Sequence, residues 1–236
     1  MDESKNRADR TLLPLRVAID GPAASGKSTV AREVARRLGA TVVDSGAWYR
    51  GMTWAALRAG ADVRDPASVR DVMRRARWET KVENGAVTLT LDGENPGEAL
   101  RSEAVRESVS DIAAIPEVRV FIVDRLRETT RHGAVVMEGR DIGTVVFPDT
   151  PYKFYLDADP EERARRRLRE IVALEGRGDV GAVLDSLQRR DRKDRTRAAD
   201  PLRVAPDAVV LDSTALSVAE VVEIVLAAVR RGQGAA

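Results

Sequence analysis

The sequence predicts an α/β fold of three layers around a five-stranded parallel sheet, with one insertion and one helical cover. Three observations carry this reading. Short apolar segments alternate with helical patterns, as expected for parallel strands joined by crossover helices. The first strand opens into Gly21-Pro22-Ala23-Ala24-Ser25-Gly26-Lys27-Ser28, which has the phosphate-loop form G-x-x-x-x-G-K-S/T and continues into Thr29. The alternation is broken twice, by a hairpin signal at Asn84-Gly85 and by an arginine-rich helical pair.

Composition narrows the chemistry. A chain of 236 residues with 43% hydrophobic residues can bury a substantial core. It has no cysteine and a single histidine, His132, so disulfide frameworks, thiolate metal sites and a Ser-His-Asp triad are excluded as working hypotheses. Carboxylates, arginines, Lys27 and a bound ion must carry any catalysis. The N-terminus lacks a signal-like apolar stretch and no run is long enough to span a membrane, which predicts a cytoplasmic protein. Net charge is only +1, yet residues 161–197 hold eleven Arg and one Lys against eight acids.

In chain order, residues 1–14 are polar and aperiodic and read as a disordered leader. Residues 15–20 form the first buried strand. The loop glycines let successive N–H groups and a helix N-terminus point at phosphate, Lys27 reaches the terminal phosphates, and the Ser28 hydroxyl ligates Mg²⁺. Val30, Val34 and Leu38 then mark an amphipathic helix closed by Gly39. A second strand, 41–43, delivers Asp44-Ser45-Gly46-Ala47-Trp48-Tyr49-Arg50 to the carboxyl edge of the sheet, where open α/β sheets bind ligands. Ser45 is expected to cap the next helix, with Arg50 one turn inside it.

From Ala61 the pattern changes. A charged helix at 65–76 precedes strands 79–83 and 86–91 around Asn84-Gly85, an insertion of roughly 61–100. Helices at 102–114 and 116–131 follow, with Ser110 and Arg119 near their junction. A third strand, 134–137, releases Glu138-Gly139-Arg140-Asp141 at one edge, a concentration of charge that a core would not tolerate unpaired. Strand 152–156 leads to a helix with Pro160 at its first position. Gly176-Arg177-Gly178 separates that helix from a second carrying Arg189 to Arg197. A fifth strand, 208–211, and a helix, 218–229, close the chain.

The basic helical pair supports three readings: a solvated charged hairpin, a nucleic-acid surface, and a lid of arginines hinged at Gly176 and Gly178. It contains no aromatic residue for base stacking, and beside a phosphate loop the lid is the leading account.

Taken together, the phosphate loop, Asp44 to Arg50, Gly139-Arg140-Asp141-Ile142-Gly143-Thr144-Val145-Val146-Phe147-Pro148, Arg190-Asp191-Arg192-Lys193-Asp194-Arg195-Thr196-Arg197 and Leu211-Asp212-Ser213-Thr214 resemble the bacterial cytidylate kinase family in order and spacing. The resemblance runs from Leu15 to the last helix. It implies a kinase domain over 15–236, with a core of 15–60, 132–160 and 198–236, a monophosphate-binding insertion at 61–131 and a lid at 161–197. It further implies phosphoryl transfer from MgATP to CMP or dCMP. Residues Gly21 to Thr29 with Arg163 and Arg166 would bind ATP. Ser45, Arg50, Arg140, Arg190, Asp194 and Arg197 match positions holding the acceptor's phosphate and ribose, while Ser110, Arg119 and Asp141 match those reading cytosine. Lys27, Arg140, Arg190 and Arg197 would stabilise the phosphoryl group in flight. Trp48 departs from the smaller aliphatic residue expected there, and Glu138 from the Asp of some members. A monomer without nucleic-acid or membrane partners is expected. Kinases for other small acceptors such as shikimate, and a nucleic-acid-dependent ATPase, are the alternatives.

Overall fold

The computed structural model describes residues 14–234, so the expected leader lies outside the described residues except for Pro14. Strand β1 (Arg16–Asp20) passes through the phosphate loop into α1 (Lys27–Leu38), followed by β2 (Thr41–Asp44) and α2 (Ser45–Arg58). Next come α3 (Pro66–Arg75), the hairpin of β3 (Trp78–Glu83) and β4 (Ala86–Leu91), α4 (Glu103–Ile112) and α5 (Pro116–Glu128). The chain ends with β5 (Val135–Gly139), β6 (Tyr152–Asp157), α6 (Pro160–Glu175), α7 (Val180–Thr196), β7 (Val209–Asp212) and α8 (Val218–Gly234).

The sheet order is β3-β4-β2-β5-β1-β6-β7. Strands β2, β5, β1, β6 and β7 form a parallel core. The sheet nevertheless has seven strands, not the expected five, because the hairpin docks on it. Ala86 pairs in parallel with Val42, and Val42 N–H donates to the Gly85 carbonyl at 2.8 Å. Without the hairpin, β2 would be an open edge with unpaired backbone groups. With it, the edge becomes β3, whose outer positions carry Glu79, Lys81 and Glu83, charges that discourage further strand addition.

Alternate strand residues feed two cores, one on each face of the sheet. Val17, Ile19, Val136, Phe154 and Leu156 pack against α1 and α8. Ala18, Val43 and Met137 pack on the other side against α2, α3, α4 and α5. Residues Val118, Ile122 and Leu126 of α5 are fully buried in this second core, so the segment after the hairpin is continuous with the sheet's own packing. Trp48 belongs there too. Its ring stacks on Trp78 of the hairpin at 5.9 Å, and Trp78 meets Phe121 edge-on at 5.4 Å. The bulky residue in the Asp44–Arg50 motif therefore ties α2 to the hairpin and α5. A smaller cluster, Ala23, Ala164, Val183 and Leu187, seats α6 and α7 over the phosphate loop.

Candidate active site

The phosphate loop is built tightly onto the sheet. Gly21 has φ +148°, and a Cβ there would lie 2.0 Å from the Leu156 carbonyl oxygen of β6, which only glycine allows. At the start of α1, Gly26 supplies no side-chain cap and the first turn holds no acid. Thr29 N–H donates to the Gly26 carbonyl at 3.2 Å, and the N–H groups before it are left for an anion, as an anion site requires. Lys27 is 4% exposed, and its ammonium folds back to donate to the Pro22 carbonyl at 2.5 Å and to Ser25 Oγ at 3.3 Å. Burial and then the charge of Arg140 push the Lys27 ammonium below its usual range. A polyanion in the cleft would oppose that depression by attracting the ammonium.

Ser28 Oγ donates to Glu138 Oε1 at the end of β5. Burial and then the nearby Asp44 charge hold the Glu138 carboxyl above its usual range. A serine hydroxyl and carboxylates are hard oxygen donors, and this set fits Mg²⁺. Among the described residues no group of three or more His, Cys, Asp or Glu forms a metal cage.

Opposite the loop, α2, the end of β5 and α7 converge four arginines. Asp44 accepts from Ala47 N–H at 3.1 Å and so caps α2 in place of Ser45, the residue expected to do so. Ser45 instead faces the cleft, pressed so closely on Gly139 that a Cβ at 139 would meet its Oγ at 2.5 Å. Arg50 pairs with Asp44 at 2.6 Å, while Arg140 Nε donates to Asp194 Oδ2 at 2.9 Å. Burial alone would raise the Asp194 carboxyl, but Arg140 and Arg190 outweigh it and hold it below the usual range. Among the described residues, the buried Nε atoms of Arg50 and Arg190 have no hydrogen-bond partner. Burial, then repulsion from Arg140, pushes the Arg190 guanidinium down to about 10. Such a cluster is incomplete without an anion.

Asp141 starts a π turn over Ile142–Val146, a bulged form frequent at functional sites. Its Oδ2 accepts from Arg119 Nη2, and Arg197 Nη2 lies 3.8 Å from the same oxygen. Burial raises the Asp141 carboxyl, and Arg119 and Arg197 only partly pull it back. Arg119 is 1% exposed, beneath the Tyr49 ring, and lies behind Asp141 instead of forming the cleft wall. Ser110 lines the cleft on α4.

One cleft of about 1270 Å³ contains residues Ala23 to Thr29, Ser45, Arg50, Ser110, Arg140, Asp141, Arg190, Asp194 and Arg197, so both halves of the expected site share one space. Arg166 lines it as well, donating to Ser213 Oγ at 3.0 Å and to the Ser213 carbonyl at 2.7 Å. Arg163 is placed differently. It is buried under the loop, donating to the carbonyls of Ala158 and Ala23, each at 3.1 Å, and pairing with Asp191 at 2.6 Å.

Two residues with evident positioning roles were not among the candidates. Asp191 accepts from Ala23 N–H at 3.2 Å, latching α7 to the loop. Asp20 accepts from Ile142 N–H at 2.8 Å and Gly143 N–H at 2.7 Å, clamping the turn that presents Arg140 and Asp141. Its carboxyl is pushed up to about 7 by burial, despite those two bonds. The available signal was an acid closing an otherwise apolar strand, a charge that must find partners if buried.

The chain matches a family model described as cytidylate kinase over residues 17–231. It is 46% identical to a cytidylate kinase of Mycobacterium leprae, covering 93% of this chain and 97% of that one. It is 47% identical to one of Solibacter usitatus over 91% of each chain. Against one of Geobacillus kaustophilus it is 44% identical, covering 88% and 92%.

Proposed function

Because the chain belongs to the cytidylate kinase family, and so among nucleoside monophosphate kinases, we propose that it transfers the terminal phosphoryl group of ATP to CMP or dCMP, giving ADP and the diphosphate. The observation that carries the reading is the placement of an anion-hungry arginine cluster, with Arg50 and Arg190 Nε unpartnered, across one cleft from an uncapped phosphate loop. The acceptor is already an ionised phosphate oxygen, so no strong general base is needed. Positioning and charge neutralisation supply the rate.

In this reading Gly21 to Thr29 cradle the donor phosphates, with Arg166 beside the cleft and Arg163 supporting the loop from below. Lys27 leaves the Pro22 carbonyl for the terminal phosphates. Ser28, with Glu138 and Asp44 behind it, would hold Mg²⁺, which when bound neutralises charge on the donor phosphates. Ser45, Arg50, Arg140, Arg190 and Arg197 grip the acceptor phosphate, with Arg197 reaching toward the ribose, and Asp194 accepts from the ribose hydroxyls. Asp141 accepts from the amino group of cytosine. Ser110 serves the rest of the base edge, and Arg119 acts from behind Asp141. Segment 61–131 carries the acceptor-binding function, and 161–197 closes as a lid. No helix among the described residues is long and apolar enough to cross a membrane. A cytoplasmic monomer that needs neither membrane nor nucleic acid is part of the same proposal.

The test is ADP formation with ATP plus CMP, dCMP, UMP, AMP, shikimate or single-stranded DNA. Uracil places an oxygen where Asp141 expects a donor, so CMP should exceed UMP by at least roughly tenfold in kcat/KM. Asp141→Asn should narrow that ratio, chiefly by weakening CMP. Stimulation by DNA alone would overturn the kinase reading, and an unchanged ratio in the variant would remove Asp141 from base recognition.

A further inference from the structure

The segment joining α7 to β7 passes directly behind the base end of the cleft. Asp200 sits on it with φ +46°, a left-handed conformation that glycine and asparagine also accept. Its two ends do different things. The Asp200 carbonyl accepts from Arg197 Nε at 2.8 Å and Nη2 at 2.5 Å. The Asp200 carboxylate accepts from Arg119 Nε at 2.7 Å. Arg119 also donates through Nη1 to the Ala113 carbonyl at 3.2 Å and through Nη2 to Asp141. Each of its three nitrogens thus has a different acceptor. Hydrogen bonds at three nitrogens fix the plane of the guanidinium, and through Nη2 it holds Asp141 Oδ2 in one direction.

The remaining oxygen, Asp141 Oδ1, is then the one available to a donor in the cleft. Removing the Asp200 carboxylate would release Arg119 Nε, leaving the guanidinium held by a carbonyl and by Asp141 itself. Asp141 would then be aimed by a partner that moves with it. We propose that Asp200 is a specificity-determining positioning residue, which orients Arg119 and through it Asp141, so that the cleft selects an acceptor base presenting an amino donor. The inference rests on the nucleoside monophosphate reading of the cleft and adds to it a residue that does not line the cleft. The phosphate grip does not depend on the Asp200 side chain, because Arg197 is held by the Asp200 backbone carbonyl.

The test uses the full chain, with Asp200→Gly to delete the carboxylate and Asp200→Asn to keep an acceptor without charge. Both substitutions preserve the left-handed backbone. CMP and UMP binding are measured by calorimetry without ATP, and kcat and KM for each with ATP. Because a hydrogen bond to a charged group is lost at a partly exposed position, Asp200→Gly should weaken CMP binding by about fivefold to tenfold. UMP binding should barely change, the CMP preference should fall by the same factor, and saturating kcat should stay within about twofold. Asp200→Asn should fall between Asp200→Gly and the parent. A parent chain that selects CMP and an Asp200→Gly variant with the same preference would overturn the inference alone. Equal losses for CMP and UMP, or a fall confined to kcat, would mean a merely structural role and would also overturn it. A parent that does not prefer CMP would overturn the base reading and the inference together.

Discussion

Arg190→Met should make the protein more stable and nearly inactive. The folded chain holds the Arg190 charge half-buried beside Arg140, with Nε unpartnered and the guanidinium pushed down to about 10 by burial and by that neighbour. At about 1.4 kcal/mol per pH unit, this depression places an upper bound of roughly 3.5 kcal/mol on the destabilisation. The attraction to Asp194 and Asp191 is already contained in that depression, and solvent access at the half-buried guanidinium reduces the net gain on removal to about 1–2 kcal/mol. The sign follows from the cation. A depressed folded value disfavours the charged form, so the penalty is fully present at every pH below about 10 and the gain should be constant from pH 6 to 9. For a chain of this length, that is a rise of about 2–8 °C in Tm. Methionine retains the flexible apolar stem, and the Arg140–Asp194 pair is untouched. Calorimetric or circular-dichroism melts without nucleotide would read the rise, and melts with CMP would read the function. The parent should gain Tm on adding CMP and the variant should gain little, while its kcat/KM for CMP falls by at least ~10²-fold. A lower Tm without nucleotide would show that Arg190 is held by net favourable contacts, and would refute the argument that the cluster waits for an anion.

Two further outcomes are expected. Lys27→Ala should not lower the melt, since among the described residues the ammonium bonds only its own loop and burial and Arg140 already disfavour its charge, yet lower kcat by at least ~10²-fold; near-normal turnover would exclude its role at the donor phosphates. CMP and a non-hydrolysable ATP analogue together should slow amide hydrogen exchange over 161–197 more than either does alone, and unchanged exchange there would return α6 and α7 to a solvated helical hairpin.

Much of this architecture is legible in the residues themselves. Val17-Ala18-Ile19 and Val135-Val136-Met137 can only be buried strands, and Asn84-Gly85 makes its hairpin with φ +51° and +74°, as the dipeptide demands. Where the hairpin docks is not legible. Its pairing depends on the free edge of β2, a property of the assembled sheet and not of local periodicity. The cap of α2 is ambiguous for a local reason, since Asp44 and Ser45 are adjacent and both cap-competent, and only the turn geometry decides. The positioning acids are hidden by distance. Asp20 meets its donor 122 residues away and Asp191 meets Ala23 168 residues away, so nothing near either one marks its partner. Arg163 illustrates the converse. Its place in an arginine-rich helix suggests contact with ATP, but the same helical face that carries Ala164 into the small cluster with Ala23 also carries Arg163 beneath the loop.

The close seat of Gly21 on Leu156 has a mechanical consequence. With the loop backbone resting against a carbonyl of the neighbouring central strand, the proposed donor half of the cleft would share the stiffness of the sheet and serve as its fixed jaw. In the proposed reaction, travel that brings the two substrates to reacting distance would then fall to elements other than this loop. Adding even a methyl group at position 21 would lift that jaw off its bed. The loss would appear as poor alignment of a donor that still binds, because the N–H groups would remain present while their distance from the acceptor would no longer be set by the core.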